Sequence, residues 1–338
     1  MGLSAIDTGG QPLVQIRDLS KTFTQKVSVI NRLLGKKPEY VRAVHGVDLD
    51  IYPGETLGLV GESGCGKTTL GRCILRLYEP DRGQVLFDGQ DFLDVRGPAL
   101  RQMRSKLQVI FQDPNSSLNP RLQVSQIIGE ACLVHGICSR DEVKGRVEHL
   151  LNTVGLSSEM IDRFPHELSG GQRQRVGLAR ALAVEPKFIV ADEPVSALDV
   201  SIQAQVVNLL MDLQEKLNLT MLFITHDLRL VHYISHRVAV MYLGSIIELG
   251  PSEALFERPL HPYSKALLAA LPKIDPRDRA KAAAIQGEPP SPIHIPSGCS
   301  FHPRCPIATE RCKIDEPELR PIDGGRMVAC HLVEPEHS

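Results

Sequence analysis

The chain has 338 residues, 42% of them apolar and 23% charged, a balance that supports a sizeable folded core and excludes a largely disordered protein. Its 38 basic residues face 40 acidic ones, a formal charge of −2, so no overall positive field recruits nucleic acid or anionic lipid. The longest apolar runs, such as residues 188–191 and 267–271, fall well short of the ~18–20 residues that span a bilayer, so any membrane role is peripheral.

Met1 to Pro12 is small and polar, without the charged-then-apolar layout of a secretory signal, and reads as a flexible segment of a cytoplasmic protein. Leu13 to Phe23 and Val41 to Ile51 alternate as β-strands, with Val44, Val47, Leu49 and Ile51 near period two. Between them Asn31 to Lys37 is basic and reads as a solvated hairpin extension. Pro53-Gly54 turns the chain, Thr56 to Val60 is a short buried strand, and Thr69 to Tyr78 reads as a helix. Further buried strands are expected at Leu107 to Phe111, Lys187 to Ala191, Thr220 to Ile224 and Arg237 to Tyr242, with helical patterns between several of them. Residues 124–164 carry almost no strand signal and read as helical, including Arg140 to Val154. Beyond Gly250 prolines become frequent and periodicity fades after Leu271, which marks an appended C-terminal region.

Two glycine-rich runs carry the chemistry. Gly61-Glu62-Ser63-Gly64-Cys65-Gly66-Lys67-Thr68 sits between the strand and the helix, with Thr69 next. Its glycines let backbone N–H groups turn toward phosphate oxygens, Lys67 reaches the outer phosphates, and Thr68 can ligate Mg²⁺. Strand 188–191 delivers Asp192, suited to the Mg²⁺ shell, and Glu193, suited to polarising the water that attacks a γ-phosphate. The second run, Leu168-Ser169-Gly170-Gly171-Gln172, opens a helix and offers another anion site; taken alone it is an ordinary serine-capped helix. Cys65, at a helix N-terminus, fits either a reactive thiol of lowered pKa or an inert lining of the loop.

The order of these motifs resembles the ATP-binding cassette (ABC) family over roughly residues 13–250. The resemblance implies an α/β P-loop NTPase with a mixed core sheet, an antiparallel β-subdomain and a helical subdomain at about 113–168, within a nucleotide-binding domain 13–255. By it, Gln112 is the glutamine that senses Mg²⁺ and the attacking water, and His226 contacts the γ-phosphate. Asp199 ends the dimer-contact run Ser196-Ala197-Leu198-Asp199, and Phe23 stacks on adenine, with Tyr40 as competitor. It further implies that two cassettes close head to tail, so that Ser169, Gly170, Gly171 and Gln172 serve the nucleotide bound on a second, homologous or identical ATPase subunit.

His261-Pro262-Tyr263, Asn119-Pro120-Arg121 and the cysteine inside the phosphate loop resemble the oligopeptide and dipeptide importer subfamily. That resemblance implies an ATPase at the cytoplasmic face of the membrane, with two transmembrane permease subunits and an extracytoplasmic peptide-binding protein. The same motor could serve a nickel chelate, glutathione or a sugar, because selection lies in other subunits. Soluble cassettes of DNA repair or translation share the motifs but usually add long coiled coils or a second cassette, and neither is present. In region 256–338, Cys299, Cys305, Cys312 and Cys330 are separated by five, six and seventeen residues, unlike the close pairs of zinc ribbons. Iron–sulfur, zinc and free or disulfide-bonded thiols all fit this spacing; the resemblance implies a small irregular metal-binding tail holding a [4Fe–4S] cluster on these four cysteines.

Overall fold

The computed structural model describes residues 9–24, 38–113, 117–270, 287–288 and 290–334. The basic run 31–37 and most of the N-terminal segment lie outside the described residues.

Strands β1 (Val14–Thr24), β2 (Tyr40–Ile51), β3 (Thr56–Val60), β4 (Arg82–Phe87), β5 (Gln90–Asp91), β6 (Leu107–Ile110), β7 (Phe188–Asp192), β8 (Thr220–Ile224), β9 (Arg237–Tyr242) and β10 (Ser245–Pro251) are followed by two short ones, β11 (Arg320–Pro321) and β12 (Met327–Val328). They form two sheets. An antiparallel one runs β2-β1-β4-β5, and an eight-stranded one runs β11-β12-β10-β9-β3-β8-β7-β6. Within the larger sheet β9, β3, β8, β7 and β6 are parallel. Every residue of β3, β7 and β8 is buried. Such unbroken apolar strands need cover on both faces, which the crossover helices and the antiparallel sheet supply.

Helices α1 (Lys67–Ile74), α2 (Gly97–Lys106), α3 (Val124–Val134), α4 (Val143–Thr153), α5 (Gly170–Leu182), α6 (Val200–Leu217) and α7 (Leu228–Ile234) connect these strands. The helical segment expected at 124–164 holds α3, α4 and 3₁₀ turns, and its apolar face, including Ile128, Val147 and Leu151, joins a core shared with α5 and α6. Helix α1 ends earlier than its sequence pattern predicts. Arg76 takes a left-handed φ of 51°, and its buried guanidinium donates to the carbonyls of Phe92 and Val95. A polar side chain thus turns the chain where periodicity alone continues the helix.

The C-terminal region, read as irregular, returns to the core. After α8 (Ser252–Glu257) and α9 (Pro262–Ala269), the tail adds β12 to β10 in register Glu248↔Val328 and Leu249↔Met327, with β11 outside it. Buried Glu248 accepts from the N–H groups of Leu260 and His261 at 2.8 and 2.9 Å, fixing the entry to α9, and burial pushes its carboxyl pKa up.

Candidate functional site: a nucleotide cradle and an exposed partner surface

Parallel topology gathers the sequence-predicted residues. The C-terminal ends of β3, β6, β7 and β8 lie along one edge of the sheet, where open α/β sheets bind ligands. They deliver the phosphate loop, Gln112, Asp192 with Glu193, and His226 respectively.

The loop's glycines are required by close packing. Gly66 has a φ of 110° and caps α1 in the left-handed region, and a Cβ there would sit 2.0 Å from the carbonyl oxygen of Ala43. One on Gly61 would meet Met241 O at 2.2 Å. Lys67 Nζ donates to the carbonyls of Gly61 and Glu62 at 2.8 and 3.0 Å, folding the ammonium back over the loop. Thr68 Oγ1 donates to Asp192 Oδ1 at 2.8 Å, which joins the two motifs expected to share Mg²⁺. Asp192 is only 3% exposed, and burial raises its pKa despite that hydrogen bond. A desolvated carboxylate beside a hydroxyl suits a small oxygen-seeking cation.

Glu193 is the point of convergence. Its φ of 47° is left-handed, a strained choice for a side chain with a Cβ, and its N–H donates to Ile224 O at 2.9 Å. Gln112 Nε2 donates to Glu193 Oε2 at 3.0 Å, and His226 Nδ1 lies 3.3 Å from Oε1. Gln112 and His226, which the family resemblance implies, therefore meet from two neighbouring strand ends on the carboxylate that β7 delivers.

Cys65 takes the inert alternative. It is buried, and burial raises its thiol pKa against the pull of the Lys67 ammonium, because desolvation disfavours the thiolate more than the nearby cation favours it. Phe23 lies edge-on to Tyr78 at 5.4 Å with the Lys21 ammonium 5.6 Å from its ring. It pairs with Val41 one step from the Thr24–Tyr40 pair, so both candidate aromatics sit at the same end of the β1–β2 ladder.

The second glycine run faces outward. Ser169 caps α5 in a capping box with Gln172: its N–H donates to Gln172 Oε1 at 2.9 Å and its hydroxyl accepts from Gln172 N–H. The atoms nearest to a Cβ on Gly170 or Gly171 belong to Leu198 and Ile202, beside Asp199 at the start of α6. Adjacent Val200 is 81% exposed, and the second glycine run and the 196–199 run form one open surface.

In the tail Cys299, Cys305, Cys312 and Cys330 are free thiols that line one recess with Phe301, His302 and His331. Burial, followed by the other cysteines' charges, raises Cys299 to about 11. The expected metal-binding tail is not borne out: among the described residues no group of three or more His, Cys, Asp or Glu side chains could hold a metal ion.

Sequence reasoning missed two residues at the phosphate loop. Tyr263 Oη accepts the Glu62 N–H at 2.9 Å, and Arg304 forms a two-pronged ion pair with the Glu62 carboxylate at 2.8 and 3.0 Å. Both lie some two hundred residues from it, and only the His261-Pro262-Tyr263 pattern hinted at either.

A family profile described as "ABC transporter" matches residues 44–196, and one for the oligopeptide/dipeptide transporter C-terminal region matches 247–312. A probable peptide ABC transporter ATP-binding protein, y4tS of Sinorhizobium fredii, is 53% identical over 87% of this chain and 84% of its own. The chain belongs to the ABC transporter ATP-binding proteins. The oligopeptide transport ATP-binding protein AppF of Bacillus subtilis is 49% identical over 95% of this chain and 98% of its own. Among solved structures, the dimeric post-hydrolysis cassette MJ0796 bound to ADP and Pi aligns with a TM-score of 0.61 and 29% identity, over 71% of this chain and 98% of that one. The cbiO1 subunit from Clostridium perfringens aligns at 0.62 and 27%, over 74% and 92%. This ABC protein is an ATPase by family, and no helix among its described residues is long and apolar enough to cross a membrane.

Proposed function

We propose that this protein hydrolyses ATP to power import of di- or oligopeptides through a binding-protein-dependent transporter, as a peripheral subunit at the cytoplasmic face of the membrane. The observation that carries the catalytic part is the meeting of Gln112 and His226 on Glu193, beside the Thr68–Asp192 pair. Gly61 to Thr69 cradle the phosphates, and Lys67 unfolds from the loop carbonyls to reach them. Thr68, Asp192 and Gln112 would hold Mg²⁺, which when bound would supply positive charge to offset that of the phosphates. Glu193 takes the proton of the attacking water while the bond from the γ-phosphorus to ADP breaks, and Gln112 and His226 orient that water and the phosphate. The exposed Ser169 to Gln172 surface, with Asp199, closes over the nucleotide of a second cassette and excludes water.

The peptide cargo is supported by the relatives' being peptide and oligopeptide transport ATP-binding proteins and by the match of the C-terminal region. An open groove lined by Val109, Phe111, Ile127, Val134 and Arg180, adjoining Gln112, suits docking of a permease segment. The finer reading of the tail is a structural [4Fe–4S] cluster, supported by four free thiols around one recess. When bound, the cluster would cross-link residues 299–330 through four thiolates.

The test is co-purification from membranes, followed by reconstitution with the permease pair and binding protein. ATP-dependent uptake of labelled dipeptides supports the reading; uptake of a nickel chelate, glutathione or a sugar in their place overturns the cargo. For the tail, anaerobic purification with visible absorption and metal analysis is decisive: brown, iron-containing protein supports the cluster, and colourless or zinc-loaded protein overturns it.

A further inference from the structure

The phosphate loop is held from outside the cassette. Glu62 is its one acidic residue, next to the position where a polyphosphate binds. Left anionic and free, it would repel the ligand. The Arg304 guanidinium, 5% exposed in its side chain, grips both Glu62 oxygens at 2.8 and 3.0 Å and also donates to Tyr242 Oη at 3.3 Å. Such a forked pair neutralises the carboxylate and fixes its direction, which a single point charge does not.

Tyr263 fixes the backbone of the same residue. Its fully buried hydroxyl accepts the Glu62 N–H at 2.9 Å. Phe301 joins Tyr242 of β9 and Tyr263 in one aromatic block, its ring centroid 5.4 Å from the first and 5.5 Å from the second. His261 sets the start of α9: its Nδ1 accepts the Tyr263 N–H at 3.0 Å, its own N–H donates to Glu248, and its ring bonds the Ala329 backbone. The block thus ties residues 261–263, 301–304 and 329 to Glu62.

We propose that Tyr263 and Arg304 are positioning residues of the nucleotide site, acting through Glu62, so that the C-terminal region is a working part of the phosphate cradle. The proposal rests on residues 61–68 being the phosphate-binding loop. It makes the tail necessary for tight nucleotide binding whether or not the tail holds a cluster.

The test is equilibrium binding of a fluorescent ATP analogue, with KM and kcat for ATP, on the full chain. Wild type, Arg304→Gln, Glu62→Gln, the double variant and Tyr263→Phe are compared, with thermal melts as a folding control. Arg304→Gln leaves Glu62 charged and is expected to weaken binding and raise KM about 10-fold, with kcat changed much less. Adding Glu62→Gln is expected to recover most of that loss, and Tyr263→Phe to cost about 3-fold. Unchanged affinity in Arg304→Gln, or a double variant no better than Arg304→Gln, overturns the proposal. If Arg304→Gln does not fold, Arg304→Lys takes its place. A loss of about 3-fold that Glu62→Gln restores supports the proposal, and no loss overturns it. Failure of folded wild-type protein to bind the analogue would instead overturn the phosphate-loop reading itself.

Discussion

The two glycine-rich runs both open a helix, yet their surroundings differ. Gly61 and Gly66 are pressed against the carbonyls of Met241 and Ala43, and the loop they shape is gripped by Lys67, Tyr263 and Arg304 of the same chain. Gly170 and Gly171 rest on Leu198 and Ile202 and otherwise look into solvent. The same local device, backbone N–H groups at a helix start, is in one case enclosed by the chain and in the other left open. On the proposed reading, each catalytic site is completed by the second cassette on closure.

The largest effect that sharpens this contrast is expected at the enclosed half. Glu193→Gln keeps the hydrogen-bonding shape but not the base, so hydrolysis is expected to fall ~10²–10³-fold with ATP binding retained, read by phosphate release and nucleotide titration. Next comes Gly66→Ala, whose Cβ would collide with backbone at 2.0 Å and occupy a left-handed φ. A destabilisation of about 2–4 kcal/mol by denaturant melt, with loss of nucleotide binding, is expected. Gly170→Ala, by contrast, meets only a flexible Leu198 methyl at 3.3 Å and is expected to cost under about 1 kcal/mol.

A pH effect follows from the tail. Burial depresses the pKa of His261 to about 3 from an ordinary 6.5. Above 6.5 both folded and unfolded chains keep it neutral. As pH falls below 6.5 the unfolded chain takes a proton the fold refuses, so this contribution to stability drops until about pH 3. The slope is at most about 1.4 kcal/mol per pH unit, and His261→Asn is expected to flatten that limb in melts across pH 4–6.5. The smallest effect is kinetic: buried Cys65 is expected to react with a thiol reagent more slowly than half-exposed Cys138, by mass spectrometry of labelled peptides.

The sequence reading was strongest where a motif and a buried strand coincide. Strands β3, β8 and β9 fall on their expected residues because unbroken apolar runs bounded by turns leave few alternatives. Strands β4 and β10 are not expected from the sequence: the apolar run of β4 is only Val85 to Phe87 after Arg82-Gly83-Gln84, and β10 follows β9 after a tight turn at Leu243-Gly244. Glu193 follows from its strand, and Gln112 and His226 only from the order of motifs in the family resemblance; the meeting of the three depends on parallel register, which no local pattern encodes. Tyr263 and Arg304 were out of reach for the same reason, since their ties to Glu62 are long-range contacts between a loop and a tail.

The central claim, that the enclosed loop serves the chain's own nucleotide and the exposed run serves a partner's, is tested most directly by Ser169→Arg beside Lys67→Ala. ATP binding to the isolated chain and ATPase activity of the assembled complex are measured for both. Ser169→Arg is expected to bind ATP within about 2-fold of wild type while assembled activity falls about 100-fold, and Lys67→Ala to lose both. Loss of ATP binding by the isolated Ser169→Arg chain, as severe as that of Lys67→Ala, would contradict the claim.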